Sequence, residues 1–474
     1  MADNTTVQSG LATLTAAGWD VIEPNEGGRF GSVGVLTAAQ TAATAALVSG
    51  AGVLGVVSGA GKFGTLLSIN PTDTLANWSD QAGTGVTFSL DTAVTFNGQP
   101  SIRLDIPASF NGGAGGVCRA GTAAATCRMP YSYDRSNFAI VVRSSSLTAC
   151  SGASAFVGDA SFTNFWSVGG SSGNEPQLQY AAGDWMTFKP IASDWAVGAG
   201  TPAVASLMRL RVNFTIAASN PACSVWIGFI GVIPKRPKAT VVISPDDGMA
   251  THSTFLAPLL RHHRLPASFA ITSSLIGSGA NYMTAAQVLA LEKDPTGLFE
   301  CVNHNRIHSN VNSYGSAAAY MTDVMAGDAA MRSWGLSGKG LSHHVYPNSI
   351  WRDDLSALLS AAGFKSARAS TASTNGEQQD QMIAAGDKLR WKLNIIANMQ
   401  TGLTVANFQT AINTLKTYKG FGFINAHDFQ VADGSFIYSF DNANQCFGLL
   451  AAERDAGNIE VLRYSDWYDI YVAQ

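Results

Sequence analysis

Charge is the scarcest thing in this chain. Asp, Glu, Lys and Arg make up 13% of its 474 residues, about half the ~25% of an ordinary globular protein. No basic excess exists either. The 29 Lys and Arg stand against 33 Asp and Glu, a net charge of −4, which excludes a nucleic-acid binder that works through a basic face. Low charge with 46% hydrophobic residues also excludes intrinsic disorder. Cysteine is sparse: Cys118, Cys127, Cys150, Cys223, Cys301 and Cys446 are too few for a disulfide framework and contain no CxxC pattern. They read as scattered thiols, with Cys118 and Cys127 near enough to close a small loop. A long apolar run is missing too. The longest uncharged stretch, between Arg29 and Lys62, is diluted by Thr, Ser, Gln and Gly. It reads as a packed Ala-rich helix or a subunit contact, and no membrane span is expected. The opening MADNTTVQSG has neither the positive nor the apolar region of a signal peptide.

What is present divides by texture into a multidomain chain. Residues 1–65 read as an attachment or oligomerisation segment, with short helices at Gln8–Trp19 and Leu36–Val48 followed by closely spaced glycines. Residues 66–234 carry short runs that alternate apolar and polar between Gly, Asn, Ser and Asp turns, such as SIRLDIP, NFAIVVRSS and LMRLRVNFTIA. That pattern predicts an all-β sandwich or jelly roll. Trp78, Trp166, Trp185, Trp195 and Trp226 fall there, as core residues or as platforms for sugar rings. Pro234-Lys-Arg-Pro237 reads as a stiff linker. Residues 239–474 begin with the apolar run ATVVIS and then alternate between strand-like and helix-like segments, which predicts an α/β fold.

Three clusters in this last region carry chemistry. Asp246-Asp247-Gly248 follows the strand ATVVIS, at the strand end where α/β folds place their sites. One carboxylate there suits a metal and the other a general base. His304 and His308, spaced i and i+4, share one face of a helix and suit a single divalent ion. Phe423-Ile-Asn-Ala-His427-Asp428 is again a strand ending in a titratable pair, and a histidine at such a strand end is the natural proton donor of a site.

Asp-Asp-Gly, then HxxxH, then a strand-end His, in that order, resembles the polysaccharide deacetylase family with the NodB-homology fold (carbohydrate esterase family 4). The resemblance covers about residues 239–474. It implies a distorted β/α barrel and a metal-dependent hydrolase that removes acetyl groups from a polysaccharide. It makes Asp246 the base, Asp247, His304 and His308 the ligands of a divalent ion, Zn²⁺ by preference, and His427 the acid. It gives the backbone N–H of Asn348 an oxyanion role and places Tyr346, Ile424 and Trp391 against substrate. Val345 stands where the family's Arg would brace the base, with Arg306 and Arg390 as replacements. Asp428 is the nearby carboxylate for His427.

The polar, Lys-poor first half resembles a bacteriophage tail fibre or tailspike. The expected setting is therefore a virion acting outside the cell, with the chain trimeric, joined to other tail proteins through residues 1–65, and acting on an acetylated cell-surface polysaccharide. The other readings are a secreted enzyme and a tail protein whose deacetylase-like fold only binds sugar.

Overall fold

The computed structural model describes residues 55–57, 66–68, 75, 78–80, 83, 85–96, 99–122, 138–146, 148–168, 185–188, 195–203, 209–232, 238–372, 389 and 391–471. The helices expected at Gln8–Trp19 and Leu36–Val48, most of the 29–62 stretch, Cys127, the Pro234–Pro237 linker, Arg390 and the side chain of Trp391 lie outside them. Two compact units result, Met1–Pro237 with Gln474 and Lys238–Ala473.

Among its described residues, the first unit holds two antiparallel sheets. One has seven strands: Gly55–Val57, Leu66–Ser68, Thr87–Phe96, Gln99–Ile106, Phe138–Ser144, Trp185–Phe188 and Cys223–Val232. The other has six: Trp78–Asp80, Gly116–Thr122, Cys150–Gly158, Phe165–Val168, Ala196–Ala199 and Arg209–Ile216. The first strand thus lies within the stretch read from sequence as the attachment segment. Side chains alternate across a strand, so Leu210, Val212, Phe214 and Ile216 of one sheet share a core with Ile102, Leu104, Val225 and Ile227 of the other. All five tryptophans in this region are buried, none more than 9% exposed. Trp185 donates its indole N–H to Thr95 O and Trp226 to Asp91 Oδ2, so they pack the unit and present no open face for stacking. A Cβ at Gly228 would sit 2.7 Å from the Trp185 ring, so glycine is what lets that ring approach the strand so closely. Cys118, Cys150, Cys223, Cys301 and Cys446 are buried free thiols, and burial pushes Cys118 up to about 12.

The second unit is built on one parallel sheet. Its strands are β1 (Ala239–Pro245), β2 (Ala267–Ile271), β3 (Phe299–Asn303), β4 (His343–Val345), β5 (Ser366–Ala372), β6 (Trp391–Met399), β7 (Phe421–Ala426) and β10 (Ile459–Leu462), with the short pair β8 (Asp428–Gln430) and β9 (Ile437–Ser439) outside it. The hydrogen-bonded order is β2-β3-β4-β5-β6-β7-β1-β10. Every residue of β1, β2, β3 and β7 is buried, as expected for parallel strands covered on both faces. The helices are α1 (Ala257–His263), α2 (Ala285–Glu292), α3 (Ala317–Ser333), α4 (Ser356–Ala361), α5 (Val405–Tyr418), α6 (Phe440–Asp455) and α7 (Tyr464–Tyr471). Hydroxyl side chains start four of them. Thr284, Ser316, Thr404 and Ser439 each accept a backbone N–H of the first turn, and Thr284 forms a full capping box with Gln287. No helix among the described residues is long and apolar enough to cross a membrane.

Candidate active site

The site forms at the carboxyl ends of β1, β3 and β7. Ladder pairing carries β1 alongside β7 as far as Pro245 and Ala426, and one further bond runs from Asp246 N–H to Ala426 O at 2.9 Å. The chain then leaves the sheet. Asp247 has φ 75° and Gly248 φ 80°, the left-handed region that Asp tolerates and Gly favours. This turn splits the two adjacent carboxylates and sends them to different partners.

Asp246 is 8% exposed. Arg368, 2% exposed and on β5, donates from one Nη2 to Asp246 Oδ1 at 2.9 Å and to Ser244 Oγ at 2.6 Å. Its guanidinium lies 4.5 Å above the Phe423 ring, a favourable desolvated cation–π position. Burial alone would raise the Asp246 pKa. Arg368 first, then His304 and His427, outweigh it and hold the carboxyl below its usual range. Arg368 is therefore the brace for this carboxylate. Arg306 does not take that role; its Nε pairs with Asp323 instead.

Asp247 turns toward the histidines. Its Oδ1 lies 3.6 Å from His304 Nε2 and 3.4 Å from His308 Nε2, and the three ligand atoms fall within 4.8 Å of one another. That oxygen is buried without a hydrogen-bond partner among the described residues. Ligands about 2.1 Å from a tetrahedral ion stand about 3.4 Å apart, so one carboxylate oxygen and two imidazole nitrogens at these separations fit a divalent cation. The ring of His304 is set by its other nitrogen, which lies 2.7 Å from Val345 O. That bond fixes Nδ1 as the donor and leaves the Nε2 lone pair for a metal.

The two histidines do not share a helix. His304 directly follows β3, Asn305 has φ 67°, and a turn brings His308 back. Asp323, 6% exposed on α3, holds the turn by accepting Ile307 N–H at 2.9 Å and Arg306 Nε at 3.1 Å. Ser273 N–H and Ser274 N–H bond to Asn305 O and Arg306 O from the other side.

His427 follows β7, close enough to Asp246 to act on its ionisation. Its Nδ1 is buried without a partner among the described residues. Asp428 does not orient it: that carboxylate accepts from Thr251 Oγ1, Phe429 N–H and Gln430 Nε2. The His427 ring meets Phe436 edge-on at 5.1 Å. Its carbonyl lies 2.6 Å from Nε2 of the buried His252, whose pKa burial lowers to about 4.

The expected substrate contacts fare differently. Tyr346 is 1% exposed, its hydroxyl is spent on Leu389 O at 2.6 Å, and its ring packs with Tyr320 and His344. Ile424 is fully buried in the central core. Neither presents a surface to a ligand. The backbone of Trp391 starts β6. Asn348 lies just beyond β4 in an exposed turn with φ 56°, and Ser349 follows with φ 58°.

No protein-family model matches the chain, and no curated protein matches it. Several solved structures resemble part of it. A family 4 carbohydrate esterase from Streptomyces lividans, solved with acetate, is 14% identical over 47% of this chain and 91% of its own, with a TM-score of 0.31. A family 4 acetyl xylan esterase from Clostridium thermocellum, solved with cobalt, is 10% identical over 49% and 91%, at 0.32. The CE4 domain of a xylanase from the hindgut metagenome of Trinervitermes trinervoides is 11% identical over 49% and 90%, also at 0.32. All three scores fall below 0.5, and the functional reading rests on the geometry of the site.

Proposed function

We propose that the second unit is a metal-dependent deacetylase acting on an acetylated polysaccharide. The single observation behind this reading is the division of labour between two neighbouring carboxylates. Asp247 shares an unpartnered oxygen with two imidazole nitrogens, while Asp246 stays ionised beside Arg368 and is free to take a proton. Asp247, His304 and His308 would hold a divalent ion, Zn²⁺ suiting this ligand set, which would supply Lewis-acid polarisation of the acetyl carbonyl and acidify water. Asp246 accepts the proton of the attacking water. His427, on the neighbouring strand end, donates a proton to the departing amine or alcohol. The backbone N–H of Asn348 is assigned to the developing oxyanion. A purely sugar-binding role drew its support from the absent motif Arg, and Arg368 removes that support.

The parallel sheet is read as a distorted β/α barrel of the NodB type and the first unit as a jelly roll. Sparse charge and the Gly- and Ser-rich first half support a setting in a phage tail, as a trimer outside the cell.

The test is acetate release from acetylated surface polysaccharide. Wild type should release acetate, chelation should abolish release, and Asp246→Asn should slow it by at least about 10²-fold. Release that survives both chelation and the substitution sinks the mechanism.

A further inference from the structure

Two of the contacts expected from sequence to hold substrate, Tyr346 and Ile424, are core residues. Among the described residues, Phe436 presents an apolar face beside the reacting groups. It is 57% exposed, and its ring lies 5.1 Å from that of His427 at an interplanar angle of 68°. Val431, in the same excursion between β8 and β9, is 88% exposed.

The backbone under Phe436 is costly and rigid. Gly434 and Ile437 exchange both backbone hydrogen bonds, at 3.0 and 2.9 Å, so Ser435 and Phe436 form a tight two-residue turn. Of the two, only Phe436 has positive φ, 58°. That is the type II arrangement, whose third position favours Gly or Asn and is strained for an aromatic residue. The strained turn is pinned from three sides. Gly434 O also accepts Thr401 N–H, Phe436 O accepts Asp428 N–H at 3.1 Å, and Asp433 Oδ1 accepts the N–H of Ser439, the residue that caps α6. A large apolar ring is thus held in solvent, in a conformation that disfavours it, directly beside the residue assigned as the acid.

We infer that Phe436 is the sugar-stacking residue of the site, binding the apolar face of a pyranose ring that neighbours the acetyl group. The inference rests on the deacetylase reading for the position of the acetyl group. The ring chemistry fits: a pyranose offers a flat face of C–H groups, and an exposed aromatic face attracts it.

The test uses the full chain in an Asp246→Asn background, so that ligand is bound without turnover. Titration with acetylated chitopentaose and with acetylated xylan fragments should show binding to at least one. Phe436→Ala should weaken that binding about tenfold or more, and Phe436→Trp should restore it. Replacing an exposed, strained residue leaves folding intact. With Asp246 in place, Phe436→Ala should raise KM for the acetylated glycan while hydrolysis of 4-nitrophenyl acetate, which has no sugar ring, is unchanged. Equal losses on both substrates would mean that the ring only orients His427, and the stacking role would be overturned. It is overturned too if neither glycan binds, or if binding ignores residue 436. A wild-type chain that binds glycan through Phe436 but releases no acetate would leave the stacking site standing and defeat the deacetylase reading.

Discussion

One guanidinium decides how the buried carboxylate at Asp246 behaves. Arg368 bonds both Asp246 and Ser244 from a single Nη2, and its charge is the largest influence opposing burial. In Arg368→Met only His304 and His427 are left to oppose burial, the Asp246 pKa rises, and more of the carboxyl is protonated at neutral pH. The acidic limb of the pH profile of kcat/KM should therefore move to higher pH, and the rate at pH 7 should drop about tenfold or more. Arg368→Lys should restore part of the charge but not the shared bond. An unmoved acidic limb in the Met variant would show that Arg368 does not tune this group. The five titratable site residues were legible because each sits in a short local pattern: Asp246-Asp247-Gly248, His304 with His308, and His427 at a strand end. Arg368 was not, because its partner is 122 residues away. A cue did exist. Arg368 stands between Ala367 and Ala369 in a strand where all three are buried, and a charge there must find a partner.

Among the elements, the turn from His304 to His308 shows what spacing alone can mislead about. An i, i+4 interval fits a helical face, but His304 directly continues the fully buried β3, and the left-handed Asn305 already bends the chain. The spacing is right for a metal because α3 supplies the clamp that the missing helix would have given. Asp323→Asn keeps the size and removes the charge that holds Arg306 and Ile307 N–H. It should weaken Zn²⁺ affinity about tenfold, measured by competition with a chelator of known affinity, with a much smaller change in the thermal midpoint of the metal-free protein. Unchanged affinity would make the clamp purely structural. Elsewhere, segments with a clean apolar rhythm are legible as elements, among them the helix Val405–Tyr418 and the strand Ala267–Ile271. The strand Trp391–Met399 and the helix Phe440–Asp455 are harder to read. The first interrupts its apolar run with Lys and Asn, and the second opens on Asp, Asn and Gln, residues that read as loop.

For the molecule as a whole, the second unit holds histidines that are buried without charge, His343 on β4 and His252 in the helical turn that follows β1. Burial, with Lys365 nearby, lowers His343 to about 3, and burial lowers His252 to about 4. Both folded values lie below the unfolded 6.5, so the stabilisation is complete above that pH and is lost as pH falls, when the unfolded chain takes up protons that the folded one refuses. At pH 5 the loss should be about 2 kcal/mol for each such His. Urea unfolding of the second unit's transition between pH 7.5 and 5 should show this, and His343→Gln should flatten the slope; a pH-independent midpoint would contradict it. The strand order has a further consequence for how the molecule comes into being. β1 is the first strand of its unit to be synthesised, yet its hydrogen-bonded neighbours are β7 and β10, from Phe421–Ala426 and Ile459–Leu462. The pair of aspartates at its end is therefore born some 180 residues before His427 can stand beside it. A ribosome-bound fragment ending before β7 would hold Asp246, Asp247, His304 and His308 but neither His427 nor the strands that flank β1, so the proposed site would be assembled only with the last strands of the sheet.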